Sequence, residues 1–264
     1  MNLMVKKEKS KVYLEPIEHV YIHKETGKRY GSVTQMLSTI EHEFEEELVA
    51  ERISKQRDND PKKNPDYHGM TKEEILDYWQ YLNDIANEYG TFVHESVETY
   101  LLKQKWWFPK EDPQFGNLAT EVIKAYNVFS KEIDEGICIY PERIMFSEKY
   151  NLAGTADLKI DIDAEWFDIG DWKTNKRFEY FSPFGQTLKK PFEHLQQCHY
   201  STYSLQLSVY ARMCEEETGM KCRQIWIGYW SRETESFSKI PITYLKHEAT
   251  TLLELHKYKT EIAA

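Results

Sequence analysis

Gly154–Lys173 reads GTADLKIDIDAEWFDIGDWK. Leu158, Ile160 and Ile162 alternate with Lys159 and Asp161, the period of a half-buried strand. Asp163-Ala164-Glu165 is a polar turn and Trp166–Trp172 a second strand, so the pair predicts a β-hairpin. The small-residue step Ala153-Gly154-Thr155-Ala156 leads into Asp157. Successive strand side chains point to opposite faces, which puts Asp171 and Lys173 on one side and Trp172 on the other. Asp157, at the far end of the partner strand, is expected across from them. Two carboxylates and an amine then converge at one sheet edge, a set that suits a hard divalent cation and a phosphodiester.

Working outward, Ile137–Tyr150 predicts a strand entering this hairpin. Tyr200–Thr218 predicts a helix stopped by Gly219. Lys221–Trp230 and Ser236–Tyr244 predict a second hairpin, and Lys246–Ile262 a closing helix. Upstream, Val12–Tyr30 reads as a hairpin about Glu25-Thr26-Gly27-Lys28, followed by a short helix, Gln35–Ile40, and a second one, Glu41–Gln56. Arg57–Gly69 reads as a loop. Thr71 and Glu74 form a capping box opening a helical stretch to about Leu102, which Gly90 is expected to divide in two. Trp106-Trp107 sits in a loop, and Gln114–Glu135 reads as a further helix ended by Gly136. The order α, βββ, α, ββ, α predicts an α/β fold with a mixed central sheet flanked by helices. Residues 1–70 are expected to form an N-terminal hairpin-and-helix extension and 71–264 the core.

At 264 residues with 41% apolar and 30% charged content, the chain has the balance of a soluble globular protein. No apolar run approaches a membrane span, and the basic start MNLMVKKEKSK lacks the apolar segment of a secretory signal, so a cytoplasmic setting and no membrane partner are expected. Cys138, Cys198, Cys214 and Cys222 form no C-x-x-C pair and read as free thiols. The net charge of −10 argues mildly against a general polyanion binder. Locally, Asp171–Lys190 reverses the sign: Lys173, Lys176, Arg177, Lys189 and Lys190 face only Asp171 and Glu179, a basic lip suited to phosphates.

Asp157 and Asp171 are candidate cation ligands, although solvated acids at strand ends are commoner in a chain with 44 acidic residues. Lys173 has three uses beside a metal: to orient water, to take up a proton, or to stabilise charge on phosphate oxygens. The plain alternative is an ion pair with Asp171. His94 and Glu98 lie one helical turn apart, and an imidazole ligand there shifts preference towards Mn²⁺, whereas a lone helix His is more often structural. Gln206 and Tyr210 also share a helix face, either as core packing or as supports for the hairpin. Glu142 is a further carboxylate on the first strand. Replacing Asp157 by Ala is expected to cost little stability, because it thins a cluster of like charges.

Gly90-x-x-x-His94, Gly154-x-x-Asp157, Asp171-x-Lys173 and Gln206-x-x-x-Tyr210 occur in this order. Together they resemble the PD-(D/E)xK nuclease superfamily, specifically its RecB-like exonuclease branch, over about Gly90–Tyr210. His19-Val20-Tyr21 and Ser32-Val33-Thr34 resemble the opening of stand-alone phage-encoded members. The resemblance implies a restriction-endonuclease-like αβββαβ core that cuts DNA with Mg²⁺ or Mn²⁺. His94, Asp157, Asp171 and the Trp172 carbonyl would bind metal, Lys173 would be catalytic, and Gln206 and Tyr210 would support it. The chain departs from that branch at Ala156, where Pro is usual, and in lacking its iron–sulfur cysteine set, so no such cluster is expected.

The expected function is therefore a metal-dependent deoxyribonuclease acting from single-stranded or duplex DNA ends, partnered by a recombination or replication protein. A structure- or site-specific endonuclease and a non-catalytic DNA- or protein-binding module are the alternatives. Trp106, Trp107 and the aromatics of Phe178–Phe184 are candidates for stacking on bases, or are loop anchors.

Overall fold

The computed structural model describes residues 4–6, 10–18, 20–56, 65–103, 138–231, 233–234 and 236–263. The helix expected over 114–135 and the Trp106-Trp107 loop lie outside them. The chain divides into two compact units, Met1–His42 with Val93–Ala264, and Glu43–Phe92. The boundary expected at residue 70 falls inside the second.

In the larger unit the strands form one mixed sheet. They are β1 (Met4–Val5), β2 (Val12–Glu15), β3 (Val20–His23), β4 (Arg29–Ser32), β5 (Cys138–Ser147), β6 (Leu152–Asp161), β7 (Trp166–Lys173), β8 (Lys221–Ser231) and β9 (Ser236–Ile242). Their order is β2-β3-β4-β6-β7-β8-β9, with β5 along the other edge of β6 and β1 on β5. The β6–β7 hairpin forms as the alternation predicts, and Asp163 Oδ1 fixes its turn by accepting from the Glu165 and Trp166 N–H groups at 2.7 and 2.8 Å. The expected N-terminal hairpin gains a strand: β3 pairs with both β2 and β4, and β4 continues parallel to the start of β6. Parallel pairing also joins β7 to β8.

Helices α1 (Val33–Ser38), α2 (Glu46–Gln56), α3 (Lys72–Lys103), α4 (His199–Thr218) and α5 (Lys246–Ala263) are described. The order α3, β5–β7, α4, β8 is the expected αβββαβ. Helix α4 lies against the sheet through Leu205, Val209 and Met213, which share a core with Ala156, Ile169 and Ile227. Ser201, Ser204 and Ser208 are buried as well, small enough for close approach, and Ser208 Oγ accepts the Leu245 N–H at 2.8 Å, at the foot of α5. Gly219 ends α4 as expected, at φ 73°, with its N–H on the Glu215 carbonyl.

In the smaller unit, Thr71 and Glu74 make the predicted reciprocal box, Thr71 N–H to Glu74 Oε2 at 2.7 Å and Glu74 N–H to Thr71 Oγ1 at 3.2 Å. Trp79 Nε1 donates to Tyr67 Oη at 3.1 Å and its ring lies 5.7 Å from that of Phe44. Helix α2 starts at Glu46 rather than Glu41. The expected division at Gly90 does not occur: α3 is continuous. An internal glycine weakens a helix by only about 1 kcal/mol, and tertiary packing overrides that.

Candidate active site

The site grows out of a fork in the sheet. On the edge of β6 away from β5, Leu152 and Ala153 pair with β4, and Leu158–Asp161 pair with β7; Gly154–Asp157 pair with neither. Past Leu158 and Gly170 the two strands of the hairpin no longer share a ladder, although β7 runs on beside β8 to Lys173. Trp172 would otherwise have a buried N–H with no partner on that edge. Asp157 supplies one: its Oδ2 accepts the Trp172 N–H at 2.6 Å. The Trp172 ring turns the other way, edge-on to Trp226 at 5.9 Å.

The β5–β6 ladder is interrupted at one step, where Glu142 stands opposite Asp157. Glu142 adopts φ 49°, a left-handed conformation that costs a non-glycine residue about 1–3 kcal/mol. Across that break, donor atoms of His94, Glu142 and Asp157 all lie within 4.8 Å of one another. His94, from α3, places Nδ1 3.3 Å from Asp157 Oδ1. Asp171 sits opposite Asp157 by continuation of the hairpin register and is ion-paired with Lys173. The structure thus brings His94, Asp157, Asp171 and Lys173 to one place, and adds Glu142.

The charges in this group disturb one another. Burial and the neighbouring Asp157 charge push the Glu142 carboxyl up to about 8, with His94 opposing. Burial and Asp157 likewise raise Asp171 to about 6 in spite of Lys173. Burial alone would raise Asp157, but the His94 charge and the Trp172 N–H hold it below the usual carboxylate range. Burial disfavours charge on His94, yet the Asp157 carboxylate outweighs it and lifts the imidazole to about 9. Lys173 is raised above its ordinary value, burial being outweighed by Asp171 and Asp157, so its amine stays protonated. Two unit charges 4.8 Å apart repel by about 3 kcal/mol at an effective dielectric of about 20. Three carboxylates therefore face one ammonium and one imidazole, and the donor set, oxygen-rich with one imidazole nitrogen, fits a divalent cation.

The α4 residues close the back of the fork. Tyr210 occupies the space where a side chain at position 154 would stand, and Gln206 Nε2 donates to its hydroxyl at 3.2 Å. Lys173 Nζ lies 4.9 Å over the Tyr203 ring. Tyr203 carries no motif of its own and is legible only as one turn before Gln206 on the same helix. Tyr21 from β3 meets Thr155 Oγ1 at 3.0 Å. Of the basic lip, Lys176, Arg177 and Lys190 are exposed and Lys189 half-buried. Lys190 lies 3.9 Å from Glu193. The four cysteines are buried free thiols. Among the described residues, no helix is long and apolar enough to cross a membrane.

No protein-family model matches the chain. Over 97 residues, 37% of this chain, it is 35% identical to the larger-complex component named the A subunit of the ATP-dependent helicase/nuclease of Carboxydothermus hydrogenoformans, and it spans 7% of that relative's length. A crystallised protein of Eubacterium rectale, provisionally named an exonuclease, overlaps 90% of this chain and 80% of its own at 14% identity, with a TM-score of 0.43.

Proposed function

We propose that this chain is a divalent-cation-dependent deoxyribonuclease of the RecB-like PD-(D/E)xK type that hydrolyses phosphodiester bonds from DNA ends. The observation that carries the reading is the fork. There an interrupted ladder gathers His94, Glu142 and Asp157 beside the Asp171–Lys173 pair. His94, Asp157, Asp171 and the Trp172 carbonyl would hold Mg²⁺ or Mn²⁺, with Glu142 as an added oxygen donor. Bound there, the cation would supply Lewis-acid polarisation of a phosphoryl oxygen and a more acidic water.

The chain's own groups do the rest. Lys173, kept as an ammonium by Asp171 and Asp157, stabilises the negative charge that builds on the phosphate oxygens; as a cation it is no base. Tyr210 and Gln206 brace the open edge of β6, so that Asp157 and the Trp172 peptide keep their places. Lys176, Arg177, Lys189 and Lys190 attract the phosphate backbone. The likeness to part of a helicase/nuclease supports both the nuclease reading and a DNA-processing partner.

The test is one panel of linear single-stranded, linear duplex and covalently closed circular DNA with Mg²⁺, Mn²⁺ or chelator. Wild type is expected to degrade linear DNA, spare the circles and stop with chelator, and Lys173→Ala to be inactive. Hydrolysis that survives chelation, or Lys173→Ala, would overturn the mechanism. Cutting of closed circles would replace the end-dependent reading by an endonuclease.

A further inference from the structure

The loop that follows β7 carries apolar surface that the site as described leaves unused. Tyr180, Phe181 and Phe184 are 50%, 74% and 77% exposed. They project from a turn that is tied down: Ser182 N–H to Gln196 Oε1 at 2.8 Å, Gln186 N–H to Ser182 Oγ at 3.0 Å and Gln197 N–H to the Gln186 carbonyl at 2.9 Å. Burying a phenylalanine ring is worth about 1.5–3 kcal/mol, so an ordered turn that presents two of them to solvent forgoes stability. Beside it lies a cavity of about 610 Å³, walled by Tyr180, Phe181, His194, Tyr200, Ile240 and Pro241.

A series of rings joins this cavity to the fork. Lys173 lies over Tyr203, Tyr203 is 6.1 Å from Phe178, Phe178 is 5.0 Å from Tyr180, and Tyr180 is 5.8 Å from Tyr200 at the cavity wall. Charge selects the occupant. In a chain of net charge −10, the segment from Thr174 to Gln197 carries Lys176, Arg177, Lys189 and Lys190 against Glu179 and Glu193. Both acids already stand beside a base, Glu179 3.9 Å from His199 and Glu193 3.9 Å from Lys190. Flat apolar rings interleaved with exposed cations match unpaired nucleobases on a phosphate backbone, whereas an apolar peptide or a second copy of this acidic chain has no use for the cations.

We propose that this cavity and the Phe181–Phe184 turn form a subsite that stacks the unpaired bases of a single-stranded nucleic-acid end whose backbone leads to the fork. The proposal rests on the nuclease reading and names its substrate as single-stranded. The test is fluorescence anisotropy in EDTA with a labelled oligothymidylate and a blunt duplex of equal length, comparing wild type with Phe181→Ala/Phe184→Ala. Both rings are exposed, so the variant keeps its fold, and circular dichroism checks this. Loss of the stacking rings is expected to weaken single-strand binding about tenfold and to change duplex binding less than about twofold. Absence of single-strand binding by wild type, unchanged affinity in the variant, or equal loss on both probes overturns the subsite. So does a fall in the sedimentation coefficient, which would mark the turn as an interface between copies. Because binding in EDTA needs no hydrolysis, a wild type that binds strands through these rings but cuts none overturns the nuclease reading alone.

Discussion

Replacing Gly154 by Ala probes the fork at its tightest point. A Cβ built there meets Tyr210 Cε1 at 2.5 Å, Cζ at 3.1 Å and Oη at 3.0 Å, where carbon atoms prefer about 3.5–4.0 Å. Tyr210 cannot step aside cheaply. It is 2% exposed, packed within the α4 core and held through its hydroxyl by Gln206. Overpacking of this kind costs about 1–3 kcal/mol, against about 0.5–1 kcal/mol regained because alanine has less freedom than glycine in the unfolded chain. The net is about 1.5 kcal/mol of lost stability, or a melting temperature lower by about 3–6 °C for a chain of this size. Calorimetry of a double-mutant cycle with Tyr210→Leu isolates the contact. In the Tyr210→Leu background the ring is gone, and Gly154→Ala is expected to be neutral or stabilising. Gly154→Ala also pushes on a strand that places Asp157 three residues later, so nuclease activity should fall with it. A Gly154→Ala protein as stable as wild type, or one that loses the same stability with and without the Tyr210 ring, would refute the account of how the fork is braced.

For Asp157→Ala the sequence alone predicts nearly intact stability, and the structure changes that expectation. Removing the carboxylate strands the buried Trp172 N–H, at about 1–3 kcal/mol, which opposes the relief of charge repulsion. Asp157→Asn keeps an acceptor there, so in urea titrations it should be clearly more stable than Asp157→Ala while both are inactive; equal stability would show that the N–H contact is unimportant. Thr71→Ala removes one half of the capping box and should lower stability by about 1 kcal/mol, read as a reduced urea midpoint. His256 has Nε2 buried without a hydrogen-bond partner among the described residues, and burial, with Lys259 adding, holds its imidazole below the ordinary value. The unfolded chain therefore takes up this proton first, and stability should drop as pH falls below about 6.5. His256→Gln should flatten that part of the urea-midpoint profile, and an unchanged slope would remove His256 as the cause.

Much of the framework was legible because its signals are local. The alternation of Leu158, Ile160 and Ile162, the Asp163 turn, the Thr71/Glu74 box and the Gly219 stop each act within a few residues, and each stands where the pattern placed it. Non-local features were less readable. Nothing in Arg29–Ser32 announces that it pairs parallel with the start of β6, yet that pairing forms one arm of the fork. Gly90 carries the signature of a break, but packing holds it helical. The meeting of His94, Asp157, Asp171 and Lys173 followed from strand geometry and motif order. The weight of Glu142 did not, because it depends on a left-handed φ and a ladder interruption that no residue type encodes.

Titration of the wild-type protein with Mn²⁺ by calorimetry addresses the cation site itself. Binding that weakens at least about tenfold in Asp157→Asn and in His94→Ala, and stays unchanged in the exposed-loop variant Phe184→Ala, is the predicted result. Wild type that takes up no Mn²⁺, or an Asp157→Asn protein that binds it as tightly as wild type, would contradict the account.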